Sequence, residues 1–219
     1  MDDAVKINFF GHSFFMITSA KGLRIAMDPY DEQVKSVLPE VRTDIALISH
    51  NHFDHNNISL FTEAPEIIIK TPGQHEVKGL KINGFSSFHD KSGGTARGKN
   101  IIFTFSIDGI SFVHFGDLGT FPHDGILAEL KGSHIIFIPV GGVYTINHSE
   151  AFELVKMIKP RIVVPMHFKE HDTKIGVDNI SGFKSLASEE MEFKEFKKEF
   201  SIKKELLPEN TEVWTVSSS

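Results

Sequence analysis

The chain of 219 residues contains no cysteine, so neither disulfides nor thiolate metal ligands are available. Any metal site must therefore be built from histidine and carboxylate side chains. Long hydrophobic runs are also missing, since no stretch approaches the ~18 apolar residues of a membrane-spanning helix. The acidic opening MDDAVKINFF lacks the basic and apolar regions of an export signal. We therefore expect a cytoplasmic protein with no membrane partner.

An excess of positive charge is absent as well. The net charge of −6 provides no basic surface of the kind on which non-specific nucleic-acid binding depends. The length lies in the range of one compact domain, and 40% hydrophobic residues is an ordinary composition for a folded domain. We expect a single domain over residues 1–219 that acts on a small molecule rather than on nucleic acid. Association into a homo-oligomer is left open.

Short apolar runs of strand length recur along the chain, mostly bounded by Gly, Pro or Asp. They cover residues 9–18, 23–27, 45–49, 67–69, 81–88, 101–107, 110–115, 135–140, 161–165 and 211–216. Helices are fewer: a capping pair, Asn147 and Glu150, precedes 151–158, and 180–187 is a second candidate. The charged stretch 191–200 has Phe at near-helical spacing but also fits an edge strand. Many strands and few helices predict two packed sheets with helices outside.

Four potential metal ligands follow the predicted buried strand 45–49 within six residues. They are His50, His52, Asp54 and His55. Four polar side chains directly after an apolar run are costly unless they converge on something that satisfies them. His50 and His52 point the same way in an extended chain, whereas the next two need a turn and address a second point nearby. This spacing favours two adjacent metal ions over one, and a solvated polar loop is the alternative.

The segment 50–55 resembles the HxHxDH signature of the metallo-β-lactamase superfamily. The other motifs of that superfamily follow in the expected order at Asp28, His89, Asp117 and His167. The resemblance covers the whole chain. It is greatest to the small branch that includes ascorbate-phosphate lactonase-like proteins, because HFGDLG at 114–119 and PVGGVYT at 139–145 are similar to that branch. The resemblance implies an α+β fold, an αββα four-layer sandwich of two packed mixed β-sheets with outer helices.

The same resemblance implies how the ligands are shared. One ion would be held by His50, His52 and His89, the second by Asp54, His55 and His167, and Asp117 would bridge both. The candidates follow the C-terminal ends of predicted strands, so one edge of a sandwich would bring them together. Zinc suits nitrogen-rich coordination, with manganese or iron as alternatives. Oxygen-reducing di-iron members carry glutamate at the position of His52, so the histidine favours hydrolysis over redox chemistry.

The chemistry implied by two such ions is hydrolysis. A water held between two divalent cations loses a proton near neutral pH, and the resulting hydroxide attacks a carbonyl or phosphoryl centre. Asp54 would orient this nucleophile. We therefore expect a binuclear hydrolase that acts on a small ester, lactone or phosphoester. A phosphodiesterase or nuclease of the ribonuclease Z kind, and a metal-binding protein without turnover, are the alternatives.

Several residues outside the ligand set have open interpretations. Asp28 is expected to accept a hydrogen bond from a ligand imidazole, with a strand-end cap as the alternative. His114 competes with His89 for the third-motif role, and we favour His89 because it ends a strand. Four loop residues are candidates for substrate contact, each against a purely structural role: His12, Arg97, Tyr144 and His148. Arg97 belongs to the Gly-rich segment 90–100, which we expect to be a mobile lid or wall.

Overall fold

Strands dominate the computed structural model, which describes residues 3–218. In chain order they are β1 (Val5–Gly11), β2 (Phe14–Thr18), β3 (Arg24–Met27), β4 (Ile45–Leu47), β5 (Ile67–Ile69), β6 (Gly73–Val77), β7 (Leu80–Phe88), β8 (Lys99–Ile107), β9 (Ile110–His114), β10 (Ile135–Pro139), β11 (Ile162–Met166), β12 (Glu192–Lys197), β13 (Glu199–Ile202) and β14 (Glu212–Ser217). The helices are α1 (Asp124–Leu130), α2 (His148–Ile158) and α3 (Ser181–Ala187), with short 3-10 helices at Ile58–Leu60 and Lys204–Leu206.

These strands form two mixed sheets. The six-stranded sheet has the order β13-β1-β2-β3-β4-β5, and the eight-stranded sheet has the order β12-β14-β11-β10-β9-β8-β7-β6. In the first sheet β3, β4 and β5 are parallel, and in the second the parallel part runs from β12 to β9. The remaining neighbours are antiparallel. The expected sandwich of two mixed sheets is confirmed.

The core lies between the sheets, as the alternation of side chains along β2 illustrates. Phe15 and Ile17 point into the main core and are fully buried. Phe15 meets Phe137 of the other sheet, with ring centroids 4.4 Å apart. Burial of each such side chain contributes roughly 1.5–3 kcal/mol. Phe14 and Met16, on the opposite face of β2, pack in a smaller outer cluster.

The two outer layers differ in kind. Helix α2 packs on β10 and contacts α1 and α3. Its start has the predicted capping box, because the Asn147 side chain accepts from the Glu150 N–H and the Glu150 carboxylate accepts from the Asn147 N–H, each at 3.0 Å. Over the six-stranded sheet, loop residues that include Tyr30, Val34 and Phe61 take the place of a helix. None of the described helices is long and apolar enough to cross a membrane.

Most predicted elements correspond to observed ones, with informative differences. The run 9–18 is two strands, β1 and β2, joined by a tight turn at Gly11–His12–Ser13 with a register shift. The ambiguous stretch 191–200 forms strands β12 and β13 rather than a helix. Strand β6 was not predicted, because its sequence GQHEV is polar and it lies at the edge of its sheet.

Candidate metal centre

Strand ends from both sheets meet at one edge of the sandwich and bring the seven predicted ligands together. Asp117, after β9, lies in the middle. Its Oδ1 is 3.1 Å from His55 Nε2, and its Oδ2 is 3.1 Å from His89 Nε2 and 3.2 Å from His167 Nε2. His50 Nε2 lies slightly farther from Asp117 Oδ2, at 3.8 Å. Imidazoles from three separate segments thus face one carboxylate.

The ligand atoms fall into overlapping groups in which all members lie within 4.8 Å of one another. One group contains His50, His52 and His89, and a second contains His12, Asp54, His55 and His167. A third, of His50, His55 and Asp117, connects them. The third group, which contains Asp117, shares His50 with the first group and His55 with the second. His12 was not among the expected ligands but belongs to the second group.

The hydrogen bonds of the imidazoles show whether a cation fits. The Nδ1 atoms of His50, His55 and His89 are bonded to Ser49 Oγ (2.9 Å), Asp28 Oδ2 (2.9 Å) and the Tyr144 carbonyl (3.1 Å). These bonds leave Nε2 as the free ring nitrogen, which points inward. Within residues 3–218, the buried Nε2 atoms of His50, His55 and His167 have no hydrogen-bond partner. Buried polar atoms are normally paired, so inward nitrogens beside carboxylates fit a divalent cation.

Asp28 organises the layer behind the ligands. This fully buried carboxylate accepts from the Ser49 N–H (2.7 Å) and Oγ–H (2.6 Å), from His55 Nδ1 (2.9 Å) and from His114 Nε2 (2.8 Å). Burial alone would raise the pKa of Asp28, but His114 and His55 hold this pKa well below its usual value. His114 therefore lies behind the centre, and the ring that reaches Asp117 is that of His89, as favoured from the sequence.

Negative charge is concentrated at the centre. Burial would raise the pKa of Asp117, but His167 and His55 hold it well below its usual value. Burial alone would lower the pKa of His55, yet Asp117, Asp54 and Asp28 raise it well above the usual value. Burial, followed by the charge of His55, lowers the pKa of His50 to about 3. Carboxylates that attract a proton onto His55 form an attractive environment for a cation as well.

Unusual backbone conformations position several of these side chains. His12, Asp28 and His167 have positive φ values of 56°, 49° and 52°, a conformation that residues other than glycine seldom adopt and that often marks functional sites. Gly116 has φ 53°, and a Cβ atom there would lie 2.4 Å from Asn100 Oδ1 and 2.5 Å from Ser49 Cβ. Only glycine fits before Asp117.

Sequence reasoning missed two residues that support the centre. Ser49 connects Asp28 to His50 through its hydroxyl group. Buried Asn100 accepts from the Asp117 N–H at 3.0 Å and donates to Ser87 and to the Phe115 carbonyl. A serine at a strand end and an asparagine within a strand carry no distinctive signal, because their roles depend on partners from distant segments.

Within the segment 90–100, which we expected to be mobile, residues 90–98 form an organised turn. Asp90 Oδ1 accepts from the N–H groups of Ser92 and Gly94, and Oδ2 accepts from those of Ala96 and Arg97. Lys91 contacts Glu150 of α2. These contacts fix the segment directly beside His89.

The candidate substrate residues lie in different surroundings. The Arg97 guanidinium lies 4.3 Å from the centroid of the Tyr144 ring, and the Tyr144 carbonyl is hydrogen-bonded to His89 Nδ1. His12 is buried rather than at the rim, with Nε2 3.2 Å from Asp54 Oδ2. The ring of His148 lies against Gly182 of α3 and is not among the grouped ligands.

A cavity of about 420 Å³ opens beside His50 and His52. Its wall carries three basic side chains, Lys70, Arg97 and Lys99, and among the described residues no carboxylate lines it. A second cavity of about 440 Å³ lies between α3 and β12, and none of the grouped ligands lines it. The first cavity therefore adjoins the centre, and a smaller cavity of about 220 Å³ also contacts His52.

Comparison with known proteins defines the class. A family model described as the beta-lactamase superfamily domain matches residues 6–167. A UPF0173 metal-dependent hydrolase of Methanosarcina mazei is 32% identical over 201 residues, covering 77% of this chain and 85% of that protein. A second, from Thermoplasma volcanium, is 30% identical and covers 84% of this chain and 92% of its own length. The chain belongs to the beta-lactamase superfamily and, within it, to the UPF0173 metal-dependent hydrolases.

A solved structure agrees with this assignment. A metallo-β-lactamase superfamily protein from Thermotoga maritima superposes with a TM-score of 0.78, at 28% identity, over 97% of this chain and 98% of that one. The superfamily expected from the sequence is thus confirmed. Membership of the ascorbate-phosphate lactonase-like branch stays a prediction.

Proposed function

We propose that the protein is a binuclear hydrolase that uses two divalent cations, zinc in the first instance, on a small anionic ester, lactone or phosphoester. His50, His52 and His89 would hold one cation, Asp54, His55 and His167 the other, and Asp117 both. The observation that supports this proposal is the convergence of four imidazole Nε2 atoms, from His50, His55, His89 and His167, on the Asp117 carboxylate.

Bound divalent cations supply an acidified water molecule as nucleophile and positive charge that stabilises the transition state. The chain supplies orientation. Ser49, Asp28 and the Tyr144 carbonyl fix three ligand imidazoles in the tautomer whose Nε2 faces the centre. The Asp54 carboxylate would accept a hydrogen bond from the nucleophilic water and so orient it toward the substrate.

The cavity beside His50 and His52 supports an anionic substrate. Its volume lies in the usual range for small-molecule sites. Lys70, Arg97 and Lys99 line it without a neutralising carboxylate among the described residues. The Arg97 guanidinium stacks on the Tyr144 ring, and the Arg97 backbone is held by Asp90. Because Arg97 is oriented in advance, less side-chain entropy is lost when it binds a carboxylate or phosphate group.

The proposal is tested with metal-free protein reconstituted with zinc or manganese. We expect turnover of a p-nitrophenyl ester that carries a carboxylate or phosphate group, and much slower turnover of neutral p-nitrophenyl acetate. Activity should require metal and should be lost in Asp117→Asn. No turnover of any ester, lactone or phosphoester by fully loaded protein would favour a metal-binding role without catalysis. Preference for bis(p-nitrophenyl) phosphate and RNA would favour the phosphodiesterase alternative.

The role of the basic cavity is tested by Arg97→Gln, with Arg42→Gln as the matched control because Arg42 pairs with Glu63 at the surface. A charge-assisted hydrogen bond contributes about 1.5–3 kcal/mol. We therefore expect KM for the anionic ester to rise about 10- to 100-fold in Arg97→Gln. KM for the neutral ester should stay constant, and the control should match the wild type. An equal effect on both esters would contradict the assignment.

A further inference from the structure

His12 is buried at the second cation position but is not part of the HxHxDH pattern. It lies in the turn between β1 and β2, is 1% exposed, and places Nε2 3.2 Å from Asp54 Oδ2. Its ring centroid lies 4.2 Å from that of His167, and its carbonyl accepts from the His167 N–H at 2.9 Å. A histidine at this place either binds the cation itself or acts through Asp54.

The hydrogen-bonding pattern distinguishes these two roles. A neutral imidazole carries its proton on one nitrogen only. With the proton on Nδ1, the N–H would be buried without an acceptor, since His12 Nδ1 has no partner within residues 3–218. The Nε2 lone pair would then face the Asp54 carboxylate. With the proton on Nε2, the same contact is a charge-assisted hydrogen bond.

The ligand imidazoles provide a contrast. His50, His55 and His89 each use Nδ1 for a hydrogen bond to a neighbouring group and keep Nε2 free for a cation. His12 has the opposite arrangement, with Nε2 engaged on the protein and Nδ1 unpartnered. This arrangement is that of a hydrogen-bond donor to Asp54, which is itself an expected ligand.

The fold holds His12 firmly in this place. Its own φ is 56°, and Gly11 before it has φ 112°. A Cβ at Gly11 would lie 2.5 Å from Cε of the buried Lys35, whose Nζ pairs with Glu170 Oε2 at 3.0 Å. Glu170 follows His167 by three residues. The ion pair therefore connects the turn that carries His12 to the segment that carries His167.

We propose that His12 is a positioning residue for the second cation position. Its Nε2–H donates to Asp54 Oδ2 and sets the angle at which that carboxylate meets the cation, and His12 itself does not bind the cation. This inference rests on the proposed binuclear centre. The zinc affinity of the first position, at His50, His52 and His89, serves as the internal reference. It separates the claim that His12 is a positioning residue from the claim that the centre is binuclear.

The variant test compares His12→Phe, which keeps a ring but loses the donor, with His12→Gln, which keeps an N–H near the place of Nε2. Zinc affinities of both positions are measured by competition with a chromophoric chelator. We expect His12→Phe to weaken the second position about 10- to 100-fold, with the first unchanged, and His12→Gln to restore most of the loss. Wild-type affinity at both positions in His12→Phe would overturn the inference. Failure of the wild type to bind a second zinc ion would instead overturn the binuclear centre.

A measurement on the wild type does not depend on how the variants fold. In zinc-loaded protein with ¹⁵N-labelled histidine, long-range ¹H–¹⁵N correlation spectra report which ring nitrogen carries the proton. We expect His12 to be protonated at Nε2 with its Nδ1 unprotonated. A His12 protonated at Nδ1, with Nε2 shifted by zinc, would show that it is a ligand and would overturn the positioning role.

Discussion

Asp28 accepts four hydrogen bonds from three residues and contacts no inward-facing ligand atom. Through Ser49 it reaches His50, and directly it reaches His55, so one carboxylate orients two of the imidazoles that face the centre. At the residue scale, the geometry of the centre therefore depends on a carboxylate that lies behind its imidazoles.

The substitution Asp28→Asn tests this dependence. An amide NH₂ would face either the Ser49 N–H, which donates to Oδ1, or the donors on Oδ2, so at least one hydrogen bond that holds the ligand segment in place would be lost. We expect the zinc affinity to fall about 10- to 100-fold, measured by chelator competition. Asp44→Asn is the control, because Asp44 pairs with Arg24 outside the centre. Unchanged zinc affinity in Asp28→Asn would contradict this interpretation.

The glycine before Asp117 permits a second prediction. Gly116→Ala places a methyl group against Asn100 and Ser49, whereas Gly132→Ala, at φ 72°, meets nothing within 4 Å. Both glycines have a positive φ, so each substitution by alanine costs about 1–2 kcal/mol of folding free energy through backbone strain. We expect Gly116→Ala to lose about 1–3 kcal/mol more through overpacking, measured as the free energy of unfolding in urea. An equal loss of unfolding free energy in the two variants would show that Asn100 and Ser49 make room for the added methyl group without cost.

The convergence of the seven candidate ligands was predictable at this scale, because HxHxDH is local and each remaining candidate follows an apolar strand; that they bind metal stays a prediction. Ser49 and Asn100 were not predictable, since their partners come from segments distant in sequence. The role of His12 was left open between substrate contact and a structural one for the same reason, since nothing in Gly-His-Ser indicates that its turn folds onto Asp54.

At the scale of elements, the turn 90–98 shows how a loop acquires definite shape. A single carboxylate, Asp90, binds four backbone N–H groups within the next seven residues. Asp90 directly follows His89, so the turn begins at a ligand and carries Arg97 back to the same place.

Replacement of Asp90 by Ala should release this turn. We expect faster hydrogen exchange at the amides of Ser92, Gly94, Ala96 and Arg97, and a KM for the anionic ester that approaches that of Arg97→Gln. Asp108→Ala serves as control, because Asp108 accepts from the Ala20 N–H in a different turn. Unaltered exchange in 92–97 would mean that other contacts hold the segment.

The elements that sequence patterns predicted are those with buried faces, such as β10 and β11, whose residues are all buried. Strands β6 and β12 lie at the two edges of the larger sheet and are mostly polar. Their apolar signal is weak because few of their side chains are buried. The charged stretch 191–200 was ambiguous for the same reason.

At the scale of the whole molecule, the centre belongs to neither sheet alone. Residues 50–55 follow β4 of the six-stranded sheet, whereas His89, Asp117 and His167 follow β7, β9 and β11 of the eight-stranded sheet. Two packed sheets could be predicted from the strand count. The order of strands could not, because pairing between distant segments leaves no local trace in the sequence.

Metal removal should therefore affect global stability. A cation that binds the folded state at a thousandfold excess over its Kd stabilises it by about 4 kcal/mol, which corresponds to roughly 10 °C in Tm for a chain of this size. We expect zinc to raise the Tm of metal-free protein by this order, measured by calorimetry, and to have little effect on Asp117→Asn. An equal rise in that variant would place the stabilising metal elsewhere.

Asp28 and His114 are 86 positions apart, and the turn at His12 meets His167 from the opposite part of the chain. No partly folded chain with only one sheet in place offers a complete set of donors. We therefore expect cation binding to occur late in folding. In a refolding experiment, the uptake of zinc would report when the two sheets have packed together.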